Sequence, residues 1–216
     1  SILGKAKILI VENSNNEEFK LKYEKKYTNL EVVLSGSNLG YGAGNNKGIS
    51  LVKTRYVLIS NPDVIYETDF FDNLKKYTDN NTDFTIIGPV YRSKDYASHG
   101  FFEDLKNKNT QDDILTNSSL IKTHWIVGCT MFIDLDKFNN NKSLFDENYF
   151  LFFEEFDLCR RVLKNDGKIL VSKNLFVKHL GHKGSVAADP RYEEDSAFLR
   201  SWHWMWSSFY YYEKNF

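Results

Sequence analysis

Four short apolar runs recur through the first half of the chain, at residues 7–11 (KILIV), 31–34, 56–60 (YVLIS) and 84–87. Longer segments with helical spacing separate them. Within residues 17–27, Phe19, Tyr23 and Tyr27 recur every fourth position and mark one helical face. A second helix is expected up to Leu51 and a third over residues 70–77. Strands that alternate with helices fold as an α/β layer, a Rossmann-like, mostly parallel sheet flanked by crossover helices. Few other architectures accommodate that pattern.

The second half has a different texture. Residues 93–123 are polar and weakly patterned and read as a long loop. A strand containing Gly128 is expected over 125–133, then an aromatic run at 145–153 and a helix over 154–165, stopped by Asp166-Gly167. Two short strands follow, at 168–171 and 175–177, then a loop at 181–189 and a helical tail from Tyr192. No repeat or linker interrupts the chain, so one domain over residues 1–216 is expected.

Composition narrows the functional classes. Lys and Arg number 28 against 29 Asp and Glu, which gives no general attraction to nucleic acid. Cys129 and Cys159 both sit in apolar surroundings and read as buried, reduced thiols, which suits a cytoplasmic setting. No stretch approaches the roughly 20 apolar residues that span a bilayer, and no signal peptide is visible.

Four constellations carry potential chemistry. Asn61-Pro62-Asp63 follows the strand YVLIS, and a carboxylate just past a strand end lies where open α/β sheets bind ligands. Asp63 suits a hard divalent cation shared with substrate phosphates; the same three residues also make an ordinary turn. Asn38 to Gly48 (NLGYGAGNNKG) reads as a glycine-rich turn, either a ligand cradle or a tight strand-to-helix connection. Its partial match to a dinucleotide fingerprint leaves an oxidoreductase as one alternative. Glu154, Glu155 and Asp157 open a helix after the aromatic run. They are either a favourable acidic first turn or a desolvated carboxylate centre for general-base chemistry. His179 and His182, among glycines and lysines, are either surface histidines or ligands.

The order of these pieces resembles glycosyltransferase family 2, in its rhamnosyltransferase-like branch. The stretch Asn38-Leu39-Gly40-Tyr41-Gly42-Ala43-Gly44-Asn45-Asn46-Lys47-Gly48 is similar to the family's Asn-x-Gly-Phe-Gly-x-Gly-x-Asn-x-Gly. Asn61-Pro62-Asp63 resembles a variant of its Asp-x-Asp metal motif. Phe145-Asp146-Glu147-Asn148-Tyr149-Phe150 and Glu154-Glu155-x-Asp157-Leu158-x-x-Arg161 resemble two further blocks. Gly128, His179 and Ser185 match single family positions.

The resemblance implies a GT-A fold and inverting transfer of a sugar from a UDP- or dTDP-type donor to a saccharide or lipid-linked saccharide, in surface polysaccharide synthesis. It implies Mg²⁺ or Mn²⁺ at Asp63 with His179. Glu155 is then the base, in a position where Asp is usual, with Glu154 and Asp157 holding the acceptor or orienting it. Glu12, Asn13, Asn38, Gly40, Gly44, Asn45, Asn46 and Asn61 face the donor. Residues 1–90 become the nucleotide-sugar half, 91–190 the acceptor half, and 191–216 an aromatic tail. The family's first strand should precede Lys7 and is expected to be missing. A non-catalytic binding domain of the same fold is the second alternative. The tail, Trp202 to Tyr212, suits core packing, a homo-oligomer contact, or the inner face of a membrane, where Trp and Tyr are enriched.

Overall fold

The computed structural model describes residues 6–92, 97–98, 119–139, 141–180 and 193–216. In chain order the elements are β1 (Ile8–Glu12), α1 (Glu17–Lys26), β2 (Leu30–Leu34), α2 (Gly40–Leu51), β3 (Tyr56–Ser60), β4 (Val64–Tyr66), α3 (Phe70–Asp79), β5 (Ile86–Arg92), β6 (Ala97–Ser98), β7 (Leu120–Lys122), β8 (Thr130–Asp134), α4 (Glu154–Lys164), β9 (Ile169–His179) and α5 (Glu193–Asn215). They form two compact units. The loop expected over 181–189, with His182 and Ser185, lies outside the described residues, as does most of the loop expected over 93–123.

The first unit comprises Ser1–Thr54, Asn141–Glu154 and Glu194–Phe216. β1 and β2 pair in parallel, Ile8 opposite Leu30, across the crossover helix α1. Asn16 caps α1 by accepting from the Phe19 N–H at 2.8 Å, and Glu17 and Glu18 at the start balance Lys25 and Lys26 at the end. The glycine-rich stretch differs from expectation: it is helix from Gly40 onward, not a turn. Its glycines permit close packing. A Cβ on Gly48 would lie 3.0 Å from Val11 Cγ2 on β1, and one on Gly42 3.1 Å from Phe145 Cβ. Gly40 alone needs left-handed backbone, at φ +80°.

The second unit comprises Arg55–Asn140 and Glu155–Glu193. Its strands run in the order β3-β8-β5-β9-β4, with β6 on β5 and β7 on β9. Only β5–β9 is parallel; the other pairs are antiparallel. The α/β class holds, but the directions are not mostly parallel. The reason is β8, which enters from later in the chain and inserts antiparallel between β3 and β5. β3 and β5 keep the common direction expected of a crossover pair without touching. All five residues of β8 are buried, as a strand covered on both faces requires. One cover is α3, whose Phe70, Leu74 and Tyr77 lie on one stripe and join Phe84, Phe132, Leu170 and Val177.

Three further boundaries differ. β8 begins at Thr130, not Trp125, because residues 125–129 turn away to meet α4. Residues 120–122 form a strand within the stretch read as loop. The two strands expected at 168–171 and 175–177 are one, β9, with a bulge where Pro89 stands opposite Ser172 but Val90 opposite Phe176.

The path from β3 to β4 constrains the sheet. Ser60 lies at one end of the strand order and Val64 at the other. Four residues reach about 14 Å at most, whereas four flat strand spacings need about 19 Å. The sheet must therefore curl at this end, bringing its two edge strands toward each other. β8 and β5 indeed pair only at Ile86–Ile133 and Ile87–Phe132. Residues 61–63 strap this end: the Asn61 N–H donates to Cys129 O at 2.9 Å, and the Leu180 N–H donates to Asp63 O at 2.9 Å.

Candidate active site

The strap places Asp63 in the second unit's open sheet end, with its side chain buried. Pairing of β4 with β9 sets Val64 opposite His179, so the neighbouring Asp63 Oδ1 lies 3.2 Å from His179 Nε2. Two residues that the sequence separates widely thus form one pair.

The segment that leads into β8 meets the first turns of α4. Trp125 stacks on Phe156 with ring centroids 4.4 Å apart. Ile126 packs over Gly88 of β5, where a Cβ would come within 2.4 Å of its side chain. The Gly128 backbone N–H donates to the Glu155 carboxylate, as does the N–H of Glu155 itself. Burial outweighs these two bonds and raises the Glu155 carboxyl to about 7. Glu155 nevertheless keeps some accessible surface. Burial also raises the Cys159 thiol, one turn further on, to about 12, with the charge of Glu155 adding to the effect. Both cysteines are free and buried, matching the expectation of two reduced thiols.

Asp63 and Glu155 are therefore tied to adjacent residues of one segment, through Asn61 to Cys129 and through Gly128 respectively. The other two acids of the cluster lie deeper. Asp157 is fully buried and pairs with Arg161 Nε at 2.7 Å, one helical turn along α4. Arg161 thus engages the enclosed Asp157 carboxylate within α4. In the first unit Glu154 is 2% exposed, with its Cγ 3.5 Å from the position of a Cβ on Gly42.

The donor-side candidates of the first unit converge in part. Asn13 Nδ2 donates to Asn38 Oδ1 and to Gly40 O, both at 3.0 Å, and Asn13 Oδ1 accepts from the Leu39 N–H at 2.9 Å. A Cβ on Gly44 would stand 3.6 Å from Asn13. Glu12 turns its carboxylate onto Ser14 and the Asn16 N–H. Asn45 donates to Tyr41 O within α2. Asn46 is buried away from this group: its amide donates to Ser143 Oγ, Phe145 O and Glu147 Oε1, and its oxygen accepts from the Phe145 N–H. With donors and acceptor so engaged, Asn46 holds the 143–147 segment instead of facing a donor.

Sequence reasoning named Gly128 and Arg161 without giving them a role, and did not pair Trp125 with Phe156. Arg161 was legible from its i,i+4 spacing to Asp157. The Gly128 N–H and the Trp125–Phe156 stack had no local signal, because both depend on β8 entering beside β3.

The residues present fit a divalent ion of the Mg²⁺ or Mn²⁺ kind. Among the described residues no three His, Cys, Asp or Glu side chains group as a complete ligand set. The buried Asp63 with His179 supplies two donors and leaves the remaining positions to phosphate and water, the usual arrangement for such ions on phosphorylated substrates.

This architecture, an α/β unit with a carboxylate at the open sheet end, is that of the GT-A glycosyltransferases. Solved structures with the same fold include GalNAc-T7 with UDP, GalNAc and Mn²⁺ (TM-score 0.61, 14% identity, 81% of this chain and 37% of that one). A second is the mannosyltransferase PcManGT from Pyrobaculum calidifontis with GDP-Man and Mn²⁺ (TM-score 0.58, 10% identity, 82% and 49%). The family model "Glycosyl transferase family 2" matches residues 5–140, more than half of the chain, and the chain belongs to that family. Membership removes the oxidoreductase alternative. Glu155 and His179 lie beyond the matched residues.

Among curated relatives, the low-salt glycan biosynthesis hexosyltransferase Agl10 of Haloferax volcanii is 26% identical over 184 residues, 76% of this chain and 56% of Agl10. Rhamnosyltransferase WbbL of Escherichia coli K12 is 25% identical over 177 residues, 71% of this chain and 65% of WbbL. The chain spans 29% to 65% of the length of the curated relatives it matches. No helix among the described residues is long and apolar enough to cross a membrane.

Proposed function

We propose that this chain carries the catalytic centre of an inverting, nucleotide-sugar-dependent glycosyltransferase that acts on a saccharide hydroxyl in polysaccharide synthesis. The observation that supports the proposal is that one short segment bonds both acids' neighbourhoods, Cys129 O accepting from the N–H of Asn61, two residues before Asp63, and the Gly128 N–H donating to Glu155.

Glu155 is the general base. It takes the proton of the acceptor hydroxyl at its carboxylate as that oxygen attacks the anomeric carbon from the face opposite the leaving group. A single displacement of this kind inverts the anomeric configuration. A base near 7 is matched to this task at neutral pH, where it is available deprotonated yet retains proton affinity. The Gly128 N–H orients the carboxylate.

Asp63 and His179 would hold the divalent ion, which when bound would neutralise charge on a nucleoside diphosphate. Asn61 keeps Asp63 in place by its backbone bond to Cys129. Asn13, Asn38, Gly40 and Gly44, with Glu12 and Asn45, are assigned to the donor nucleotide. The hydrogen bonds that join Asn13, Asn38 and Gly40, with Gly44 beside Asn13, support that assignment. UDP- and dTDP-sugars are the proposed donors, and a lipid-linked saccharide is the proposed acceptor.

A thermal-shift panel of nucleoside diphosphates and nucleotide-sugars, with and without Mn²⁺, tests the proposal. A ligand at a hundred times its Kd stabilises the folded state by about 2.7 kcal/mol. One nucleotide class should raise Tm, and only with the metal present. A flat response across the panel overturns the proposal.

A further inference from the structure

Helix α5 has two unlike faces. On one, His203 stacks on Phe150 and Trp204, itself half exposed, meets Phe152 and Phe153, while Ser207 donates to Leu151 O at 2.8 Å. Tyr210 and Lys214 reach Asp146. On the other face stand Phe198, Trp202, Met205, Phe209 and Tyr212, and Phe216 continues the series. The steps between them alternate four, three, four, three, four. Each is between 52% and 83% exposed. Leu199 and Trp206, also exposed, flank the row on one side, and Ser201 and Ser208 on the other.

An apolar row that repeats every 3.5 residues is the seam of one helix against another, since that spacing keeps the same stripe facing a partner helix. We propose that a second copy of this chain occupies the seam, giving a homodimer through paired α5 helices. Charge favours that occupant over a lipid surface. From Ser201 to Tyr212 the helix carries no Asp, Glu, Lys or Arg, so the central part of the seam meets its copy without repulsion, with exposed Asp195 and Glu213 at its two ends. The basic residues on either side of that stretch face inward. Arg200 lies over the Phe152 ring at 5.6 Å, and Lys214 pairs with Asp146 Oδ2 at 2.7 Å. Helices that rest on anionic membranes instead turn Lys and Arg outward along their polar face.

The area suits a stable pair. At about 150–250 Å² for each large side chain, the exposed portions of the row and its two apolar flanks present on the order of 900 Å² per copy, against about 800 Å² per partner in a standard stable interface.

Sedimentation velocity across micromolar concentrations of this chain tests the proposal. The expected species has twice the 25.3 kDa chain mass. Met205→Glu and Phe209→Glu should each raise the dimer dissociation constant about 30-fold or more. Both side chains are exposed in the single copy, so its melting curve by circular dichroism at low concentration should not move. A mass of one chain at every concentration overturns the proposal, as does a dimer that both variants leave intact. Flotation of a single copy with phosphatidylcholine–phosphatidylglycerol vesicles, lost in the same variants, also overturns it and assigns the seam to lipid.

Discussion

His179 Nε2 stands 3.2 Å from Asp63 Oδ1, because β4 and β9 set Val64 opposite His179. With these two as the proposed ligands, Asp63→Ala should remove the Mn²⁺-dependent part of any nucleotide-induced rise in Tm. The lost charge stabilisation, several kcal/mol, corresponds to a fall in kcat/KM of about 10²-fold or more. His179→Gln should show the same direction with a smaller fall. Titration of Mn²⁺ in calorimetry and initial-rate assays checks both.

Glu155→Gln keeps the size of the side chain and loses the base. Transfer should drop by about 10²–10⁴-fold, with nucleotide binding retained. In the unsubstituted chain the acid limb of the pH–kcat/KM profile should have its midpoint near the raised carboxyl, at about 7, with activity lost below it. A midpoint in the ordinary carboxylate range of about 4–5 would count against this role.

The same group should shape stability. Its folded-state pKa lies above the unfolded value of 4.5, so between 4.5 and about 7 the folded state binds more protons. Stability from this group is fully present below 4.5 and falls as pH rises towards 7. The loss is on the order of 3 kcal/mol at most. Urea unfolding of the chain and of Glu155→Gln at pH 5 and pH 8 should show the difference between them shift towards the variant at the higher pH.

Two glycines of α2 should respond oppositely to alanine. At Gly40 a Cβ would fall 2.2 Å from Phe150 O on a backbone with φ +80°. Gly40→Ala should therefore cost about 3 kcal/mol or more, through strain and overpacking. At Gly44 the nearest atom is an ordinary 3.6 Å away. Gly44→Ala should keep the fold and add up to about 1 kcal/mol from helix propensity. Thermal unfolding of the pair separates them.

Both thiols should be silent in the native state. Cys129 and Cys159 are buried, and Cys159 is pushed up to about 12. A thiolate-specific reagent such as dithionitrobenzoate should label neither in buffer and both after denaturation.

Much of this was legible from residues alone. KILIV and YVLIS are strands within a residue of their predicted ends, and Asp166-Gly167 does stop α4, with Asp166 at φ +55°. Asp63 at a strand end and the acids opening α4 were visible as candidates. What stayed hidden depended on non-local pairing. β8 inserts between β3 and β5, and nothing in residues 84–87 or 130–134 encodes that neighbour. The glycines of α2 read as a turn because local propensity disfavours them in helices, whereas close approach to Val11 and Phe145 is a tertiary reason to keep them. Asn46 and Asp157 looked functional by type, and their bonds to Phe145 and Arg161 could be seen only in the folded structure.

The strap from Ser60 to Val64 makes the curl of the sheet a matter of chain length, more than of side-chain chemistry. Replacing Asn61 or Pro62 changes what lines the mouth but leaves the same number of peptide links to reach across it. An added link would let the barrel-like curvature relax toward flatness, and a removed one would draw the rim tighter. Insertions or deletions at this single connection are therefore the most direct way to change how tightly the two edge strands of this scaffold approach.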